Sequence, residues 1–426
     1  MAPAMTMPPQ AQPASRAPGQ AAILRLPNPM IAVAWLAIFV PGHLCQWWVE
    51  RAFAAAVAVL GAFILFGMPS SWKSWAAARQ ASAFFFLIQF LFLFSFIYAI
   101  AFMGIETGPR DYFEAGRYLI LWVFIVYVMR HYDDRVRRAT ETATAAMLYY
   151  SLFVALCYLR PVPVVSEFFR HQLYAQTKTF VNYFGTLRLA APFENPNFLG
   201  FVTVQVLAYM LFFSRSPIRL IHCAAALLVV YFTGSRTAWV SASLVLAGAV
   251  ATYAWLGILR LRLKLALQLG LALIILVGAG VKFSGNILKN SRMQALFSAI
   301  HKGGIQKEPN AAGRLEQCAQ SWEYIKRSPI LGWGPSKYAT WDYVDNQYVL
   351  WGLRNGLAGA LLIIAGLGLV ATRLILSQRG DTLAMLGAAT FSAAIAVELL
   401  TGEFLNNFRL FFVTWLLGTA IARKPR

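Results

Sequence analysis

Apolar runs, each about as long as a helix that crosses a bilayer, follow one another along almost the whole chain, and they decide its class. A hydrocarbon core about 30 Å thick needs about 20 apolar residues of helix. Twelve stretches meet that rule to within a few residues: 24–41, 52–68, 82–104, 113–129, 143–159, 198–213, 219–234, 238–257, 265–281, 347–372, 382–400 and 406–422. With 59% hydrophobic and 13% charged residues in 426, the chain lacks the polar surface that a soluble domain of this size needs. The expected fold is all-α, a polytopic integral membrane protein with about 12 transmembrane helices.

The net charge of +20 would suit a nucleic-acid binder only if it lay on a soluble face, and no soluble domain is visible, so nucleic acid is excluded as a partner. Its distribution follows the membrane instead. With the N-terminus inside, the short inner segments hold Arg130, Arg135, Arg137, Arg138, Arg215, Arg219, Arg260, Arg262, Lys264, Arg373 and Arg379 among others, whereas the short outer ones hold only Arg51, Arg110, Arg117, Arg236 and Arg409. That bias places both termini in the cytoplasm. Residues 1–20, rich in Pro, Ala and Gln, read as a disordered tail with no signal-peptide pattern. Residues 21–159 then hold spans one to five, 160–372 a catalytic region with outer loops at 160–197 and 282–346, and 373–426 the last two spans and a short tail. The larger loop is basic, which suits an anionic group presented at the membrane or anionic headgroups themselves. No internal repeat is evident, against an inverted-repeat transporter. Cys45, Cys157, Cys223 and Cys318 are far apart, so neither a metal site nor a disulfide framework is expected.

Candidate chemistry gathers in one long polar and aromatic passage, Gly313 to Gly359, and in one short connection. Arg236, in TGSRTAW between two apolar runs, either faces a water-filled interior or snorkels to the interface. Beside it, Gly234 and Ser235 offer donors for an anion cradle. Leu315, Cys318, Ala319, Trp322 and Ile325 recur at helical spacing, predicting an amphipathic helix over 312–326 that lies across the membrane mouth and ends before Pro329. Arg314 would then occupy the first turn, where the helix dipole disfavours a cation and a ligand better accounts for it. Asp345 and Asn346 open the tenth span, where the aspartate serves either as an N-cap or in chemistry. Gly356 and Gly359, three apart, permit close helix packing.

Taken together, ENPNFLG at 194–200, TGSRTAW at 233–239, GRLEQCAQSW at 313–322, SPILGWGPSKY at 328–338 and DNQYVLWGLRNGLAG at 345–359 resemble the O-antigen ligase and Wzy-type polysaccharide polymerase superfamily. The resemblance spans roughly residues 190–365 and implies a GT-C-like fold with its main periplasmic loop, containing short helices, between helices nine and ten. It implies a glycosyltransferase of the bacterial inner membrane that takes a glycan from a polyprenyl diphosphate-linked donor, with no cofactor and no required metal. The acceptor would be a glycan or lipid A-core, with membrane lipids and a chain-length regulator as further partners. Two outward arginines hold the diphosphate in that family, and Arg236 and Arg314 match them. Its ligases carry a histidine, proposed as the base, where this chain has Asp345; none of His43, His131, His171, His222 and His301 falls in that motif. The departure favours a polymerase, or a ligase-like enzyme with another acceptor.

The chemistry fits those positions. Guanidinium forks match phosphate oxygens and stay charged, and a positioned carboxylate can take the acceptor's proton. Lys337 is a further diphosphate ligand in this scheme, and Glu194, Asn195, Asn197, Tyr338 and Asn346 are substrate-binding candidates. Trp333, Trp341 and Tyr343 would stack on sugars or anchor at the interface. Glu398, Glu403 and Arg409 suggest an ion pair with no assigned step. A flippase for lipid-linked glycan is the competing class.

Overall fold

The computed structural model describes residues 75–108, parts of 111–122, and residues 132–159, 180–183, 186–193, 195–256, 309–334, 344–402 and 404–422. The expected spans 24–41, 52–68 and 265–281 lie outside these residues, as do Glu194, Lys337, Tyr338, Trp341, Tyr343 and Glu403. The described part is mostly helical. In chain order it contains α1 (Trp75–Met103), α2 (Asp134–Leu159), strands β1 (Phe180–Tyr183) and β2 (Thr186–Leu189), α3 (Pro196–Phe212), α4 (Arg219–Thr233), α5 (Arg236–Trp255), α6 (Pro309–Arg327), α7 (Gln347–Ser377), α8 (Thr382–Glu398), a 3-10 turn (Phe404–Asn406) and α9 (Phe408–Ala422). Among the described residues, three stretches, Ser82–Met103, Arg236–Trp255 and Gln347–Ser377, are long and apolar enough to cross a membrane, and four shorter apolar helices accompany them. The antiparallel hairpin β1–β2 lies in what the sequence presents as a plain loop at 160–197.

The bundle is built around α3. Its sequence, PNFLGFVTVQVLAYMLF, has no polar face, and a helix apolar all round is stable only when covered on every side. Every residue from Leu199 to Phe212 is buried. α4, α5, α8 and α9 all pack on it. Small residues set the spacing: a Cβ on Gly200 would come within 2.8 Å of Ala238, and one on Gly387 within 2.5 Å of Phe212. Close approach through glycine substitutes for a hydrophobic driving force where lipid is as apolar as the side chains.

α1 shows the other consequence of that solvent. Phe84, Phe85, Ile88, Phe92 and Phe96 face the bundle, whereas Phe86, Phe90, Leu93, Phe94 and Ile97 stand exposed on the opposite side. So many large apolar side chains on one outer face suit hydrocarbon and not water. The protein is a membrane protein, with a largely helical body.

α7 is broken. Gly356 has φ 67° and ψ 177° inside the helix, a conformation open essentially to glycine alone. The turn that follows α6 fills the break. Leu357 N–H, which would donate to Leu353 in an unbroken helix, donates to Pro329 O at 2.6 Å, and Leu353 O accepts from Trp333 N–H at 2.7 Å. Gly334 N–H donates to Arg354 O at 3.0 Å. Approach is closest at two glycines, since a Cβ on Gly332 would run into the Gly356 nitrogen and one on Gly356 into the Ile330 carbonyl. Gly356 is thus a docking point for another stretch of backbone, and not one of two packing glycines on a continuous helical face. Gly359 carries on the second half of the helix.

The two halves meet different surroundings. Leu350 to Asn355 are buried, whereas Leu357, Leu361, Leu362, Ile364, Leu369 and Leu376 are exposed. Residues 357–377 supply about 30 Å of helix at about 1.5 Å per residue, the thickness of a hydrocarbon core. The first half is therefore interior backbone, and the second half is long and apolar enough to cross the bilayer.

Replacing Gly356 with Ala should cost about 1–3 kcal/mol in backbone strain alone, with the clash against Ile330 added. Thermal unfolding in detergent should show a clear loss of stability. Gly368, which has no atom within 4 Å of its would-be Cβ, is the control: Gly368→Ala should be neutral or slightly stabilising.

Candidate functional site

Three helix ends converge at one end of the bundle. At the N-terminus of α5, Thr237 accepts a hydrogen bond from the Thr401 hydroxyl at 2.6 Å. At the N-terminus of α7, Gln347 N–H donates to Leu399 O at 3.0 Å, and its side-chain oxygen accepts from Leu405 N–H at 3.1 Å. The residues that follow α8 thus tie Arg236, the first residue of α5, to the same end as Asp345 and Asn346.

The turn before α5 is closed by its own hydrogen bonds. Gly234 adopts a left-handed conformation (φ 56°, ψ 23°) as the cap of α4, and its N–H donates to Tyr231 O at 3.1 Å. Ser235 N–H donates to Thr233 Oγ1 at 3.2 Å, and Ser235 Oγ caps α5 by accepting from Ala238 N–H. The backbone donors of Gly234 and Ser235 expected of an anion cradle are therefore already engaged. The groups here whose chemistry suits an anion are the Arg236 guanidinium, the Ser235 hydroxyl and the positive end of the α5 dipole.

Behind this turn lies a residue that motif reasoning passes over. Arg188, in β2, is 4% exposed. Its Nε donates to Thr233 O at 2.7 Å and its Nη2 to Asn197 Oδ1 at 2.7 Å. The guanidinium joins the ENPNFLG and TGSRTAW stretches, which the sequence shows only as separate motifs. The one signal available from sequence is a basic residue directly before the apolar run that leads into α3.

α6 runs alongside the first half of α7 in the same direction. Ile325 packs against Gly352 at 3.0 Å and joins Val344, Leu350 and Leu353 in a small core. The helix begins at Pro309, a turn earlier than its apolar spacing predicts, so Arg314 lies in the second turn, where the dipole reason for its placement no longer applies. Arg314 Nε donates to Asp345 Oδ2 at 3.2 Å. With the two side chains 39% and 20% exposed, such a pair contributes about 0–1 kcal/mol to stability. Its interest is chemical: a cation and a carboxylate stand together at an accessible edge. Cys318, one turn on, has its thiol pKa pushed up by burial, with the Arg314 guanidinium opposing that shift and the Asp345 carboxylate adding to it. The face that α6 turns to α7 takes in only part of the apolar stripe: Ile325 is buried there beside Ser321, whereas Leu315 and Trp322 are exposed.

Asparagines in the motifs serve as caps. Asn346, and not Asp345, caps α7, accepting from Tyr348 and Val349 N–H groups at 2.9 and 3.1 Å. Asn195 caps α3 by accepting from Asn197 N–H at 2.9 Å. Asp345 is thereby released from the capping role that its position allowed. Glu398 is buried to 1% exposure near the Ser241 hydroxyl, and among the described residues neither of its oxygens meets a partner at full hydrogen-bond geometry. Arg409 stacks on Phe193 at 4.3 Å and donates to Pro192 O at 3.3 Å; it is not paired with Glu398, and Glu403, the other acid of the suggested ion pair, lies outside the described residues. Among the described residues no three His, Cys, Asp or Glu side chains gather as a metal cluster would.

Residues 221–364 match the family model Wzy_C, O-antigen ligase. The match takes in Arg236, Arg314, Asp345 and the break at Gly356, and it bears out the resemblance to the O-antigen ligase and Wzy-type superfamily. Arg188 and Asn197 precede it. No curated protein matches the chain significantly.

The capping assignment predicts a separation of effects. Asn346→Ala should lower stability by about 1 kcal/mol, whereas Asp345→Asn should change it by less than about 1 kcal/mol. Paired melting curves in detergent measure both. Equal losses would return the capping role to Asp345.

Proposed function

We propose that this membrane protein is a glycosyltransferase of polysaccharide biosynthesis, which polymerises lipid-linked oligosaccharide repeat units at the periplasmic face of the bacterial inner membrane. The observation that carries this reading is the Arg314–Asp345 pair at the end of the bundle to which α5 also brings Arg236. In the reaction an acceptor hydroxyl oxygen attacks the anomeric carbon of the donor glycan. The bond from that carbon to the diphosphate oxygen breaks, and the polyprenyl diphosphate departs with the electron pair. Arg236 and Arg314 stabilise the charge that develops on the leaving group, since guanidinium groups bind phosphate oxygens in pairs and remain charged. Asp345 receives the hydroxyl proton. Its Oδ2 already faces Arg314, so Oδ1 is the oxygen that meets the acceptor, and the shared contact holds acceptor and leaving group in one frame. Lys337 supplements the diphosphate contacts, and Glu194 and Tyr338 hydrogen-bond the sugars. Asn195, Asn197 and Asn346 support the site through the turns they cap and brace.

A second reading is favoured by the family match itself, whose description is O-antigen ligase. In that case the acceptor is lipid A-core and not a growing carrier-linked chain. Asp345 at the position of the ligase histidine favours the polymerase.

In cells that depend on this protein for polymer, Arg236→Ala and Arg314→Ala should abolish polymer formation while the protein stays in the membrane at normal levels. Asp345→Asn should lower the rate by about 10²- to 10⁴-fold. Polymer of unchanged length and amount in both arginine variants would defeat the assignment.

A further inference from the structure

We infer that Arg188 is a positioning residue of the diphosphate site, holding the turn from Thr233 to Arg236 so that Arg236 meets the donor. The inference rests on the proposed role of Arg236.

Its structural basis is a short chain of contacts. Arg188 reaches Thr233 O through Nε and Asn197 Oδ1 through Nη2, both at 2.7 Å. Its side chain lies against Gly234, where a Cβ would be 3.5 Å from both Cγ and Nε. Thr233 is held from its other side, since its hydroxyl donates to Val230 O at 2.7 Å and accepts from Ser235 N–H. Ser235 in turn caps α5, and the next residue is Arg236. Thr233, Gly234 and Ser235 are therefore each fixed by a bond that leads back to Arg188 or to a helix end.

The residue type matters. A cation buried to this extent is costly unless its donors are matched. A neutral side chain could fill the space at less cost. Arginine offers a rigid planar fork whose Nε and Nη2 edges address two acceptors on different elements at once. A lysine ammonium, one point on a flexible stem, does not reproduce that bridge. The Thr233 carbonyl also belongs to the last turn of α4, where a cation is favoured by the helix dipole. Arg188 thus fastens the C-terminus of α4 and the N-terminus of α3 behind the N-terminus of α5.

Binding of farnesyl diphosphate to the purified full-length protein in detergent, with farnesol as the control, tests this without requiring turnover. Wild-type protein should prefer the diphosphate. Arg188→Lys, which conserves charge, should weaken diphosphate binding by about 10- to 100-fold, the worth of a charge-assisted hydrogen bond, and leave farnesol binding unchanged. Arg236→Lys should act in the same direction. If Arg188 works through Arg236, the double variant should lie within about threefold of the weaker single variant. Asn197→Ala removes one acceptor and keeps the buried cation; it should weaken diphosphate binding less than Arg188→Lys does, and it serves if that variant fails to fold. Unchanged diphosphate affinity in the folded Arg188 or Asn197 variant, or fully additive losses in the double variant, would overturn the inference. A wild-type protein that shows no preference for the diphosphate over farnesol would instead overturn the donor assignment beneath it.

Discussion

An exchange of backbone hydrogen bonds at the break in α7 is the constraint on which the rest depends. A helix interrupted inside a membrane protein leaves a donor and acceptors that lipid cannot satisfy, each costing several kcal/mol. Here the turn from Pro329 to Gly334 supplies them, taking Leu353 O and Arg354 O and receiving Leu357 N–H. The exchange fixes the end of α6 against the middle of α7, and Ile325 against Gly352 continues the contact toward the N-terminus. Arg314 then arrives beside Asp345 with little freedom of its own. The ion pair contributes little to stability, so the backbone exchange and the small core around Leu350 and Leu353 hold it in place.

The candidate site follows from a similar separation of labour. Residues that present charge are held by residues that satisfy backbone. Asn346 completes α7 so that Asp345 need not, and Ser235 completes α5 beside Arg236. Gln347, wholly buried, fastens the start of α7 to the residues after α8. Rigid supports of this kind suit a reaction whose demand is orientation and stabilisation of a departing anion.

Much of this was legible in sequence, for identifiable reasons. Membrane thickness imposes a length on apolar runs, so the spans at 82–104, 198–213, 238–257 and 347–372 fall on α1, α3, α5 and α7. Motif residues clustered because one end of the bundle is where polar side chains are tolerated. The break at Gly356 was not legible, because GxxG suits both a packing face and a backbone conformation that exists only once Ile330 has docked. Neither was the orientation of α6: apolar spacing shows which face leaves water, but not whether protein or lipid receives it, and Leu315 and Trp322 point away from α7. Arg188 escaped because its partners, Asn197 and the Thr233 carbonyl, come together only through the packing of β2, α3 and α4.

The proposed function requires this arrangement to move a glycan off a diphosphate carrier without another enzyme. Purified protein incubated with a polyprenyl diphosphate-linked oligosaccharide, followed by mass spectrometry of both lipid and glycan, tests it most directly. Free polyprenyl diphosphate should be released in step with carrier-linked chains of two or more repeat units. Donor that remains intact with wild-type protein, at concentrations where it binds, would rule out this transfer and reopen transport of the lipid-linked glycan.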